Sequence, residues 1–364
     1  MRILYDYQMF SLQRFGGVTR YFCELMKNLP GENQFKLSVL FSSNQYLKEN
    51  KNIFKTRDLL PAGNFKGKYY IEKQLTAINR QYSKKCIAQN NFDVFHPTYN
   101  DNYFLNLLKK PFVITVHDLI IFKFGDTFYK NYTGKSNLAN AITRANRIIA
   151  ISNNTKKDLL ELFNVSEDRV DVIYHGHNKT GVTSKKFAFK NYILFVGRRD
   201  LYKNFIPFVK AIHSLLLREP DLKLICVGQP FDKTEMELFH KLGIGAKLTA
   251  LNADEASLNN LYAGARLFVF PSLYEGFGFP ILEAFANECP VCLSNASCFP
   301  EIAKEGAVYF DPNDQESMLS AVEAVLYNEE LKKQIVAAGS ERLNFFSWQK
   351  TAIETMNTYS KAKY

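Results

Sequence analysis

Short apolar runs alternate with longer segments of mixed polarity along the whole chain. In the first half the runs at Arg2–Tyr7, Lys36–Phe41, Val94–Pro97, Pro111–His117, Arg147–Ile151 and Val170–Tyr174 read as strands. Helices are expected between them at Thr19–Asn28, Tyr69–Gln89, Lys135–Thr143 and Asn154–Leu162, the last with good N-cap chemistry in Ser152-Asn-Asn-Thr155. A polar stretch from Gly176 to Lys190 then breaks the series and marks the expected domain boundary.

A second series follows. Strands are expected at Tyr192–Val196, Leu222–Val227, Lys247–Leu251, Leu267–Pro271, Pro290–Leu293 and Val308–Phe310. Helices fill the gaps at Asn204–Leu217, Lys233–Leu242, Ala256–Ala263, Gly278–Ala286 and Gln315–Leu326, and the tail from Glu329 is helical with a break near Phe346-Ser-Trp348. Alternation of this kind specifies an α/β fold with parallel sheets covered by helices on both faces. A chain of 364 residues is long for one core, so two domains are expected, 1–180 and 190–345, followed by a terminal helix over 346–364.

Composition narrows the class. Hydrophobic content of 46% with 23% charged residues is that of a water-soluble globular protein, and no run has the length of a membrane-spanning helix. The start, Met-Arg-Ile-Leu-Tyr-Asp, turns polar at once and lacks a signal-peptide core; six scattered cysteines read as reduced thiols without metal-ligand spacing. Both point to the cytoplasm.

Charge is unevenly shared. Of 46 Lys+Arg and 36 Asp+Glu, 26 and 15 lie in residues 1–180, leaving 20 and 21 for the rest. The excess thickens between Lys48 and Lys85, where cations alternate with Phe, Tyr and Ile. That stretch is compatible with a solvated basic face, an anionic membrane surface at the periphery, or an anionic acceptor. Nucleic acid is not expected, because no nucleic-acid module is present.

The most informative segment is Pro271-Ser-Leu-Tyr-Glu275-Gly276-Phe277-Gly278-Phe-Pro-Ile-Leu-Glu283. A buried strand leads into a glycine turn and then a helix, with one acid before the turn and the other expected in the first helical turn. Such a turn lies at the carboxyl end of its strand, where α/β sheets bind ligands, and its N–H groups attract anions or sugar oxygens. On their own, Glu275 as a solvated loop acid and Glu283 as a partner of the helix dipole are equally compatible with the pattern.

Val196-Gly197-Arg198-Arg-Asp-Leu-Tyr-Lys203-Asn204 follows the first strand of the second series, and its cations are suited to a diphosphate. Phe15-Gly16-Gly17-Val18 opens a helix and offers a weaker anion cradle. Val113-Ile-Thr-Val-His117-Asp118 ends a strand on a histidine, more often a structural feature than a ligand contact; Asp118 either orients His117 or caps the next segment. Neither a G-x-G-x-x-G turn nor a P-loop is present, which argues against a nicotinamide-dependent oxidoreductase, and no Asp-x-Asp pair offers a metal site.

The Glu275–Glu283 segment, the Gly-Arg-x4-Lys loop at Gly197–Lys203 and Ala263-Gly-Ala-Arg-Leu-Phe-Val-Phe-Pro-Ser272 closely resemble the retaining glycosyltransferases of the large GT-B family 4. Phe299-Pro-Glu-Ile302 and Phe310-Asp-Pro-Asn313 are similar to later landmarks of that family, whereas Tyr174-His175-Gly176-His177 stands where it commonly has Pro-Asn-Gly.

The resemblance implies a GT-B fold: two Rossmann-like domains facing across a cleft, the N-terminal one binding acceptor and the C-terminal one nucleotide-sugar, with the last helix crossing back to the first domain. It also implies a retaining, metal-independent hexosyl transfer that needs no cofactor. The donor is a GDP- or UDP-sugar, GDP-mannose first, and the acceptor a glycan or lipid-linked glycan of a cell-surface polysaccharide. Glu283 would hold the ribose; Glu275 with Gly276, Phe277 and Gly278 the donor sugar; Arg198, Lys203 and the Gly16 and Gly17 amides the diphosphate; and His117 the sugar. A non-catalytic, nucleotide-sugar-binding partner of another transferase is the alternative.

Overall fold

The computed structural model describes residues 1–60, 63, 65–125, 134–178, 189–199 and 201–363. Most of the expected boundary at Gly176–Lys190 therefore falls outside the described residues. Contacts divide the chain into two compact units, Met1–Gly176 with Ser347–Tyr364, and His177–Phe346.

In unit one the strands are β1 (Arg2–Tyr5), β2 (Gln34–Leu37), β3 (Val94–His96), β4 (Val113–Val116), β5 (Arg147–Ala150) and β6 (Val170–Val172). They form two parallel three-stranded sheets, β2-β1-β3 and β4-β5-β6, joined edge to edge by a bridge between Phe95 and Phe112. Strands β3 and β4 are buried along their whole length, as parallel strands covered on both faces must be. The chain leaves β1 for β2 on one side and returns to β3 on the other, so the strand order reverses between β1 and β3.

The terminal helix Trp348–Lys363 belongs to this unit. It buries Trp348, Thr351, Ala352, Thr355, Met356, Tyr359 and Ala362, a stripe at three- and four-residue spacing. Polar contacts fix its register. Tyr359 Oη lies 2.8 Å from Tyr5 Oη and 2.6 Å from His96 Nδ1, and Thr351 donates to the Tyr174 carbonyl at 2.7 Å. Asp171 accepts from Thr358, Lys361 and Arg147 at 2.9, 2.7 and 2.9 Å. Gly176 makes the close approach possible: a Cβ there would stand 2.2 Å from the Trp348 nitrogen.

Unit two holds β7 (Tyr192–Val196), β8 (Lys223–Val227), β9 (Leu248–Leu251), β10 (Leu267–Phe270), β11 (Val291–Ser294) and β12 (Val308–Phe310) in one parallel sheet, ordered β12-β11-β10-β7-β8-β9. Here the order reverses between β7 and β10. Helix Phe205–Arg218 buries Phe208, Val209, Ile212, Leu215 and Leu216 against this sheet, each side chain stabilising the fold by about 1.5–3 kcal/mol. Helix Lys233–Lys241 begins with a capping box between Asp232 and Glu235.

Every expected strand is present within a few residues; β2 starts earlier than expected, at Gln34 rather than Lys36. All six cysteines are buried and unpaired. Among the described residues no helix is long and apolar enough to cross a membrane.

Candidate functional site at the switch point of the second sheet

Pairing of β7 with β10 brings the loops after both strands side by side at the carboxyl edge of the sheet. The first loop carries Arg198 and Lys203, the second Ser272, Glu275 and the glycine turn. Lys203 Nζ reaches Glu275 Oε1 at 2.5 Å, the two side chains being 15% and 12% exposed. The ammonium also lies over the rings of Tyr202 and Phe270, 5.1 and 5.4 Å from their centroids.

Glu275 is held from three further directions. Ser272 Oγ donates to its Oε1 at 2.8 Å; Ser297 Oγ accepts its N–H at 3.2 Å and donates to its carbonyl at 2.5 Å; Cys298 Sγ lies 3.3 Å from the same carbonyl. Ser297 has φ of +55°, a left-handed conformation that costs a non-glycine residue free energy and is found disproportionately at functional sites. The sequence pattern gave Ser272 no role of its own and did not flag Ser297. Their one signal is that each is a polar residue just past the end of a fully buried strand.

Gly278 ends the turn with φ of +92°, so helix Phe279–Ala286 starts at Phe279 with Pro280 in its first turn. This corrects one expectation: Glu283 stands in the second helical turn, and no acid occupies the first. It is therefore poorly placed to serve as a helix-dipole partner. Its Oε2 accepts from Tyr262 Oη at 3.2 Å, which orients the carboxylate on a half-buried face. Gly276, Phe277 and Gly278 are buried, and Phe277 packs edge-on against Phe279 and Phe346.

The two arginines of the first loop separate in role. Arg198 is exposed. Arg199, for which the pattern suggested no role, is built into the scaffold: Nε and Nη2 donate to the Glu235 carboxylate at 2.6 and 3.0 Å, and Nη1 and Nη2 to the carbonyls of Gln229 and Pro230, both at 2.8 Å. Its guanidinium also covers the Phe231 ring at 4.8 Å. It ties the loop after β7 to the loop after β8.

The remaining candidates lie in unit one. Gly17 opens helix Gly17–Lys27, and no side chain caps its N-terminus. Gly16 has φ of 166°, extended backbone that does not require glycine. His117 follows β4, stacks on His175 at 5.7 Å and meets the edge of Tyr21 at 5.2 Å; its Nε2 is buried without a hydrogen-bond partner. Burial pushes the imidazole down to about 3, so it is neutral near pH 7 and suited to a neutral hydrogen bond rather than proton donation. Asp118 accepts the Ile120 N–H at 3.2 Å, which favours its capping role. His175 is core, packed between Tyr21 and Trp348.

Two family models match: "Glycosyltransferase Family 4" over residues 15–180 and "Glycosyl transferases group 1" over residues 182–342. The chain is a family-4 glycosyltransferase. The transferase is 31% identical over 215 residues to the O-antigen chain mannosyltransferase RfbU of Salmonella typhimurium, a match spanning 58% of this chain and 60% of that protein. It is 24% identical over 368 residues to the O-antigen chain mannosyltransferase B of Escherichia coli, spanning 94% and 95%. Among solved structures it is similar to Anabaena HepE in complex with UDP and glucose, with a TM-score of 0.75 at 16% identity and 99% of both chains covered. The fold of the transferase is thus GT-B.

Proposed function

We propose that this glycosyltransferase moves a hexose from a nucleoside-diphosphate sugar to a glycan or lipid-linked glycan during assembly of a cell-surface polysaccharide, with retention of configuration. Mannose from GDP-mannose is the first choice of donor, supported by relatives named O-antigen chain mannosyltransferases. A UDP-sugar is the second, because a GT-B protein of the same fold was solved with UDP and glucose.

The observation that carries the reading is the Lys203–Glu275 pair at the switch point of the second sheet. The difficult charge in glycosyl transfer grows on the departing diphosphate. A lysine already desolvated and positioned there stabilises it without reorganisation at the moment of reaction, and Arg198 supplies a second cation. In unit two, Glu283 accepts the ribose hydroxyls. No metal or cofactor is needed in this scheme, so turnover persists in EDTA.

Glu275 is bound by an ammonium and a serine hydroxyl, which makes it a poor nucleophile. Transfer therefore proceeds on one face. The C1–O bond to phosphate breaks as the acceptor oxygen bonds C1, and the acceptor proton passes to the leaving phosphate. The product is α-linked. Incubation with GDP-mannose and a lipid-linked glycan, followed by NMR of the new anomeric proton, tests this; a β-linkage or a glycosyl-enzyme trapped on Glu275 contradicts it.

A lipid-linked acceptor also calls for contact with an anionic membrane surface. Tyr69, Tyr70 and Ile71 are 69%, 72% and 44% exposed at the start of helix Lys68–Ala88, close in sequence to exposed Lys66 and Lys73. Association with anionic vesicles that weakens with salt supports this surface; salt-independent binding or none rejects it.

A further inference from the structure

Two helices flank β10 in the chain, Glu255–Gly264 before it and Phe279–Ala286 after it, and two polar rungs join them. In the first, Asn287 at the C-cap of the second helix donates through Nδ2 to Asn259 Oδ1 at 3.1 Å and to the Glu283 carbonyl at 2.9 Å. In the second, Tyr262 Oη donates to Glu283 Oε2 at 3.2 Å. Asn259 and Tyr262 stand one turn apart on one helix, as Glu283 and Asn287 do on the other, so each pair shares a face.

The two partners of the second rung differ in freedom. Tyr262 is fully buried, and its ring meets Phe268 of β10 edge-on, with 5.3 Å between centroids at 74°. A phenol hydroxyl out of reach of water needs an acceptor inside the protein, and the packed ring decides where that hydroxyl stands. Glu283 is only half-buried. The terminal torsion of a glutamate has a broad, roughly two-fold profile, so a carboxylate without an anchor turns easily. A hydrogen bond from a fixed donor to one of its oxygens sets its plane.

That plane matters for a vicinal diol. Ribose offers its O2′ and O3′ hydroxyls side by side, and a carboxylate accepts from both only when it faces them squarely. It has about four lone-pair positions, so accepting from Tyr262 is compatible with accepting from the diol. A freely turning carboxylate can follow one hydroxyl but does not hold both. We infer that Tyr262 is a positioning residue for donor selection: its hydroxyl sets the plane of Glu283, so that the site prefers a ribonucleoside diphosphate to its 2′-deoxy counterpart. The inference rests on the reading of Glu283 as the ribose acceptor. The Asn259–Asn287 rung reaches the backbone of Glu283 rather than its carboxylate, which makes it the control.

The test is isothermal titration calorimetry on the full chain with GDP, 2′-deoxy-GDP, UDP and 2′-deoxy-UDP. The wild type is expected to bind the ribo form of its preferred base about tenfold more tightly than the deoxy form, the size of one hydrogen bond to a charged group. Tyr262→Phe is expected to bring that ratio below about threefold by weakening the ribo form, with the deoxy form changed less than about twofold. Combined with Glu283→Gln it should add nothing further, as expected of two residues acting through one contact. Asn259→Ala is expected to lower Tm and keep the wild-type ratio. A Tyr262→Phe protein that keeps the ratio, or weakens both forms equally, overturns the assignment while Glu283→Gln still abolishes the ratio. A wild type without a ratio, or a ratio that survives Glu283→Gln, instead contradicts the ribose reading, and the inference falls with it.

Discussion

Lys203 and Glu275 come from loops after different strands, 72 positions apart in the chain, yet their side chains meet at 2.5 Å beneath a surface that mostly excludes water. Each group fixes the other. Lys203→Met leaves Glu275 without its cation and removes the charge that meets the diphosphate. Loss of one positioned donor of this kind typically costs about 10²–10³ in kcat, or about 2.7–4 kcal/mol. Steady-state kinetics should show that loss, with Lys203→Arg partly active and Glu275→Gln impaired to a similar degree.

Ser297 is predicted to act by positioning Glu275. Ser297→Gly removes the hydroxyl and leaves the left-handed backbone unstrained, whereas Ser297→Ala removes it and keeps the strain. Both variants should lose about tenfold in kcat, the ~1.4 kcal/mol of one net hydrogen bond. Thermal unfolding should separate them, with the glycine variant the more stable. Equal activity to wild type in the glycine variant removes Ser297 from the site.

Arg199 is predicted to matter for stability rather than turnover. Its guanidinium spends its donors on Glu235 and two carbonyls, with 8% of the side chain exposed. Arg199→Met leaves Glu235 buried without its cation, at a cost of about 3 kcal/mol. For a unit of this size that is about 6–12 °C in Tm by calorimetry. Donor KM is expected to change less than threefold.

Acid destabilisation should carry the signature of buried histidines. Burial pushes His96 down to about 3 from 6.5 and His175 well below the same value. Both are neutral in the folded protein, while the unfolded chain binds a proton at each as pH falls below about 6.5. The unfolded state then holds more protons, so stability is present above pH 6.5 and lost below it. Each group removes about 1 kcal/mol between pH 6.5 and 5.5. Denaturant unfolding across that window should show the slope, reduced by one proton in His96→Gln.

The sequence was most legible where burial dictates composition. Runs such as Tyr-Ile-Leu-Phe-Val in β7 and Leu-Phe-Val-Phe in β10 leave little choice but a covered parallel strand, and the loops after them locate Lys203, Glu275 and the glycine turn. Helices Gln8–Leu12, Gln45–Glu49, Ile120–Lys123 and Phe299–Ala303 are too short to display a period and were not anticipated. Glu283 was expected in the first helical turn, but counted from Phe279 it is the fifth residue of its helix, one turn further on. Ser297 and Arg199 depend on partners 22 and 36 positions away, contacts that only the sheet order creates.

A donor diphosphate held by Lys203 without a metal is the central requirement of the proposed transfer. Thermal unfolding of the purified chain with UDP, GDP, ADP, CMP and NAD, each with and without EDTA, measures it. A ligand at a hundred times its Kd adds about 2.7 kcal/mol of stability. The predicted result is a shift with GDP, or with UDP if the donor is a UDP-sugar, that survives EDTA and disappears in Lys203→Met. A shift with NAD alone, with no nucleotide, or with a nucleotide only when divalent metal is present contradicts it.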